Sequence, residues 1–111
     1  VTTQTTPLAS WLLDRIEADE AAARAVPATE TYRVESSAAG ASPWLLADHY
    51  RRHDPARVLA QCAAYRRIVE LHHEGPAGSC ETCSGEYLPC STLRALASIY
   101  ADAPGFREEW R

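Results

Sequence analysis

From Pro7 onward apolar residues recur at helical spacing, with Leu8, Leu12, Ile16 and Ala23, joined by Trp11 and Leu13, forming one stripe. Asp14, Glu17, Asp19 and Glu20 fill the other faces. Thr6-Pro7 supplies a hydroxyl cap and a first-position proline, and Pro27 stops the run, so the pattern predicts a helix over 7–25. Between 30 and 35 the order Glu-Thr-Tyr-Arg-Val-Glu alternates with a period of two. After a small-residue turn over 36–42, Trp44-Leu45-Leu46 either returns as a second strand or opens the next helix; the favoured reading is a short β-hairpin over about 30–46, followed by a helical turn or two over 48–53. Two strands alone are marginal in water, so the hairpin has to lie against helices.

Asp54-Pro55 repeats the cap-and-proline signal and opens a central helix over about 55–73. Its stripe is Val58, Cys62, Tyr65, Val69 and His72, widened by Leu59, Ile68 and Leu71. At about 100° per residue His72 and His73 fall near opposite edges of that stripe, so the helix alone does not decide which is buried. Gly75-Pro76 and Gly78 break the pattern and begin a loop over 74–90. Ser91-Thr92 then caps helical segments over 91–110, with Leu93, Leu96, Ala97 and Tyr100 apolar and Phe106 and Trp110 spaced to pin a last turn onto the body.

With 111 residues, 46% of them hydrophobic, the chain reads as a single domain over 1–111 with a thin core. A domain of this size buries only about 60–70% of the surface its unfolded chain exposes, so a metal adds usefully to its stability. No stretch approaches the roughly 18 apolar residues of a membrane helix, and the first residues lack a secretory layout, so the expectation is a cytoplasmic protein. All 11 basic residues are arginine, lysine, methionine and asparagine are missing, and alanine fills 20 positions. That is the codon habit of a GC-rich genome, and it removes arginine content as an argument for phosphate binding. Net charge is −4, distributed as −3 over 1–47, +3 over 48–69, −4 over 70–90 and zero over 91–111. The basic stretch carries Arg51, Arg52, Arg57, Arg66 and Arg67 beside His49 and His53. Pairing with the acidic first helix or Glu70 is its expected use, and the overall acidity disfavours a nucleic-acid partner.

Four cysteines carry the chemistry. Cys80-Glu81-Thr82-Cys83 can grip one ion from a tight turn, and Cys90, just before a helix, gains from the positive end of that helix, which favours its thiolate. A tetrahedral ion needs a fourth ligand, for which His72, Cys62 and His73 compete. On a continuous helix Cys62 and His72 lie about 15 Å apart and cannot share an ion. His72 is beside the loop, so the expected zinc site is His72, Cys80, Cys83 and Cys90, with Cys62 a small buried apolar residue. The alternatives are a dithiol redox site, a disulfide, a four-cysteine iron-sulfur cluster that includes Cys62, and a catalytic zinc. The last would use Glu81 or Glu86 as base, or Glu74 in a partial match to the deaminase pattern His-x-Glu, which here lacks a proline before Cys80 and a sheet to hold a pocket.

The segments Arg-Ile-Glu-Ala-Asp-Glu (15–20), His-Asp-Pro-Ala-Arg-Val-Leu (53–59), Arg-Arg-Ile-Val-Glu-Leu-His (66–72), Cys-Glu-Thr-Cys (80–83), Pro-Cys-Ser-Thr-Leu-Arg (89–94) and the tail over 100–110 together make the chain resemble a known family. It is a family of small uncharacterised proteins, a domain of unknown function, abundant in actinobacteria such as Streptomyces and in their phages. The family more often has histidine before the tail proline, where this chain has Ala103, so no tail histidine competes with His72. The resemblance implies a genomic setting and a metal motif, and no activity.

The expected fold is therefore mainly α (α+β), a small zinc-stabilised helical domain with a short hairpin. The expected role is a non-enzymatic interaction or regulatory module, binding a protein partner through Trp44, Trp110 or the arginine-bearing face. A nucleic-acid-binding regulator and an iron-sulfur redox or sensor protein are the alternatives.

Overall fold

The computed structural model describes residues 6–27, 43–83 and 85–111, and it is mainly helical. Helix α1 spans Pro7–Arg24, with the Thr6 hydroxyl accepting a hydrogen bond from the Ala9 N–H at 3.3 Å. Helix α2 spans Pro43–Arg52 and α3 spans Pro55–Leu71, the latter capped by Asp54, whose carboxylate accepts from the Arg57 N–H at 2.8 Å. Helix α4 spans Ser91–Ala97, runs on into a 3₁₀ turn over Ser98–Tyr100, and is followed by a second at Glu108–Trp110.

The core sits where α1 crosses α3 and α4 closes over both. Leu8, Leu12, Ile16, Leu93 and Ala97 are sealed from solvent, and Val69, Cys62 and Leu96 extend the cluster. One charged group enters this seam. Glu20 is buried on α1 and accepts a hydrogen bond from the Arg66 guanidinium of α3, with Arg24 3.9 Å away on the same helix. The Glu20 carboxylate holds Arg66 protonated still more firmly than usual. Arg66 thus ties to the first helix, and Arg67 stands 3.8 Å from Glu70.

The tail folds back on α1 through an aromatic cluster. Trp11 meets Trp110 at 5.3 Å, Phe106 at 5.8 Å and Tyr100 at 6.3 Å between ring centroids. The Trp11 indole N–H donates to the Pro104 carbonyl at 3.1 Å, and the Tyr100 hydroxyl donates to Asp19 at 2.8 Å. Gly105, at φ 89°, allows the turn, and a Cβ there would lie 2.7 Å from the Trp11 nitrogen. Trp110 is only 4% exposed, so it belongs to the core and is unavailable as a contact surface. Trp44, by contrast, is 84% exposed.

The hairpin expected over about 30–46 is not seen. Its first strand falls on residues 28–42, which lie outside the described residues, and Trp44-Leu45-Leu46, expected as the return strand, is the first turn of α2. Pro43 fits a first helical position, where its missing N–H has no partner to lose. Further along the same helix, Asp48 binds Arg51 and Arg52 at 3.0 Å each, at the three- and four-residue spacings that only a helix brings together. Among the described residues there is no strand, only isolated antiparallel bridges pairing Glu74 with Cys80 and Ser79 with Tyr87. No helix among them is long and apolar enough to cross a membrane.

Candidate metal centre

The end of α3 selects which histidine faces the cysteines. The helix stops at Leu71 rather than running on to 73, and His72 leaves it at φ −107°, ψ 50°, its N–H still bonded to Ile68 and Val69 carbonyls. This break carries the His72 ring into the loop, half-buried. His73 stays exposed, with its Nδ1 2.9 Å from the Glu70 carbonyl.

The loop is shaped by backbone bonds that converge on the cysteines. The Cys80 N–H donates to the Glu86 carbonyl at 2.8 Å, the Glu81 N–H to His73 at 2.9 Å, and the Leu88 N–H to Gly78 at 3.0 Å. The Thr82 hydroxyl donates to the Leu71 carbonyl, fastening the Cys-x-x-Cys turn to the end of α3. Cys90 is the residue preceding α4, so the third thiol comes from a helix start. Glu86 in turn accepts from the Ser91 N–H at 3.3 Å and steadies that start.

The end of α3, the loop and the start of α4 thereby bring four donors to one point. His72 Nδ1 lies 3.3 Å from the Cys80 and Cys83 sulfurs and 3.6 Å from the Cys90 sulfur. The four donor atoms all fall within 4.8 Å of one another. A tetrahedral zinc with Zn–S of about 2.3 Å and Zn–N of about 2.0–2.1 Å sets nitrogen and sulfur about 3.6 Å apart. The three nitrogen–sulfur separations are within about 0.3 Å of that, whereas the 4.8 Å span of the whole set exceeds the S···S spacing of about 3.8 Å in a tetrahedral site, so these side chains fit one tetrahedral ion after the group closes by about 1 Å. Cys80 and Cys90 are buried, which shields the centre from water.

Local electrostatics prepare one thiolate. Burial alone would push the Cys80 thiol up, but the Cys83 and Thr82 N–H groups and the neighbouring thiols outweigh it and bring Cys80 below its usual value. The Cys83 N–H reaches the Cys80 sulfur at 3.3 Å. Cys83 itself is pushed up to about 12, chiefly by burial and also by the neighbouring Cys80 and Glu86, against a partial offset from the Thr92 hydroxyl 3.8 Å away. A bound dication reverses such a preference by stabilising thiolates directly.

The structure does not bring Cys62 to this group. It is buried on α3 beside a groove of about 400 Å³ that Asp19, Val58, Tyr65 and Tyr100 also line. Burial, with Asp19 and Glu20 nearby, raises its thiol pKa. The carboxylates considered as bases are placed otherwise: Glu74 and Glu81 are exposed, and Glu86 caps α4, its pKa lowered by the Ser91 hydroxyl and N–H. That is the direction opposite to a raised-pKa acid or base. Thr82 and Thr92, which hold the turn and the Cys83 sulfur, are not expected at the site from the sequence; Thr92 reads there with Ser91 as a helix cap, whereas the residue at the cap of α4 is Cys90. The signal for the two threonines is a hydroxyl inside the Cys-x-x-Cys and another two residues after Cys90.

A family model described as a family of unknown function (DUF6221) matches residues 5–111. No curated protein and no solved structure matches the chain.

Proposed function

The chain belongs to DUF6221, a family of unknown function, and with no activity to carry over from it we propose, from the site itself, a small intracellular zinc-binding module in which the zinc is structural. The observation that carries this is the donor geometry: one imidazole nitrogen 3.3–3.6 Å from three thiol sulfurs. His72, Cys80, Cys83 and Cys90 would hold the ion and leave no position for water, which is the pattern of structural rather than catalytic zinc. The ion would join the end of α3 to the start of α4 through their ligands, substituting for apolar core that a chain of this size lacks. The role we propose is non-enzymatic, an interaction or regulatory module for a protein partner, with exposed Trp44 and Leu45 on α2 as the contact surface.

Nucleic-acid binding is the weaker reading. Of the basic stretch, Arg51 and Arg52 are bound to Asp48, Arg66 to Glu20, and Arg67 lies near Glu70, so much of its charge is already answered. The test is elemental analysis with an absorption spectrum on protein purified anaerobically without added metal. One zinc per chain and a colourless sample support the proposal. Iron with broad visible absorption, or a metal-free chain that takes up no zinc, overturns it.

A further inference from the structure

The cysteine centre leaves three histidines unused, and two of them face each other. His49 lies in the last turn of α2 and His53 in the turn that follows it, four residues on, which sets both rings on one side. Their centroids are 4.7 Å apart and their planes are inclined by 44°. Both are exposed, and among the described residues no ring nitrogen of either makes a hydrogen bond. His72 and His73, by contrast, have partners at Nδ1.

The spacing has a chemical meaning. An imidazole coordinated through a ring nitrogen puts its centroid about 3.2 Å from the ion, a bond of about 2.0–2.1 Å plus the ring radius. Two such rings on one ion, at angles between the square-planar and tetrahedral values, have centroids about 4.5–5.2 Å apart. The observed separation falls in that interval. The nearby positive charge is also partly answered, since Asp48 draws Arg51 and Arg52 onto its own carboxylate at 3.0 Å each.

We propose that His49 and His53 form a second, open metal site, a two-imidazole chelate for a divalent first-row ion such as Ni²⁺, Cu²⁺ or Zn²⁺. Imidazole is a good ligand for these ions, and two side chains leave the remaining positions to water or a small anion. The site shares no residue with the cysteine centre, and its ion is exchangeable where a closed four-ligand ion is held.

The test is a Ni²⁺ titration of the reduced, zinc-supplemented 111-residue chain, followed by paramagnetic broadening of the histidine ring signals. The His49 and His53 signals should broaden first, and exposed His73 should need at least ten times more nickel. In His49→Gln, a surface change that leaves the fold in place, broadening at His53 should likewise need at least ten times more nickel. An unchanged nickel requirement at His53 in that variant overturns the chelate, as does equal broadening of His49, His53 and His73. Nickel captured by Cys80, Cys83 and Cys90 with the two rings unaffected also overturns it, while leaving the cysteine centre supported.

Discussion

Removing the His72 imidazole is the sharpest perturbation of the proposed centre, because its neighbour His73 is a built-in control. Groups that merely orient a metal ligand change affinity by about 10–100-fold when removed, so deleting a ligand itself should exceed the upper figure. A loss above 100-fold is more than about 2.7 kcal/mol of metal-linked stability. For a domain near 100 residues this lowers the thermal midpoint by on the order of 10 °C or more. His73→Ala removes an exposed ring whose Nδ1 is near the Glu70 carbonyl, and should cost no more than about 1 kcal/mol with no change in zinc affinity. Zinc affinity by chelator competition, and calorimetry with zinc present and removed, read both quantities. Equal losses in the two variants, or an unchanged affinity in His72→Ala, would refute the geometric argument. A midpoint for His72→Ala that drops equally with and without zinc would show the ring acting by packing alone.

Cys62→Ala should leave zinc stoichiometry intact, since that thiol lies outside the four-donor group; metal loss in this variant would return Cys62 to the site. Because burial raises its pKa, Cys62 should resist alkylation at pH values where an ordinary cysteine with a pKa of about 8.5 already reacts. The folded state holds this proton more tightly than the unfolded chain, so as pH rises above the unfolded value stability falls, and denaturant midpoints between pH 8 and 10 check the sign. Tyr100, raised by burial and by Asp19, pushes in the same direction at still higher pH. Leu12→Ala empties a site at 0% exposure and should cost about 2–5 kcal/mol in urea unfolding, and a cost below 1 kcal/mol would mean that α1 is not seated on the core as described. Arg66→Met leaves the buried Glu20 carboxylate with only the more distant Arg24. Because Arg66 is 37% exposed, the expected cost is about 1–2 kcal/mol, below the 3–5 kcal/mol of a fully buried pair. A Glu20→Gln background should reduce that cost, and an undiminished cost would assign it to lost packing instead.

Local chemistry by itself determined much of this protein. Thr6-Pro7 and Asp54-Pro55 open helices because a side-chain acceptor and a proline satisfy the first turn without help from the rest of the chain. The Cys-x-x-Cys and Cys90 before a helix mark a metal motif because two thiols in one turn converge whatever surrounds them. The family resemblance drawn on those segments is met by a family match over residues 5–111.

Tertiary packing decided the rest. By sequence the run Trp44-Leu45-Leu46 is either a return strand or the opening of a helix, since short apolar runs are ambiguous between the two; the hairpin is the favoured reading, and the residues form the start of α2. Trp44 and Trp110 look alike in sequence; one is exposed and the other sealed, because Gly105 turns the tail so that Trp110 meets Trp11. His72 and His73 are equivalent on a helical wheel until α3 stops at Leu71 and the backbone at His72 swings its ring toward the thiols. Periodicity reports which face a residue occupies within an element, whereas the meeting of four donors depends on where elements end and what they pack against.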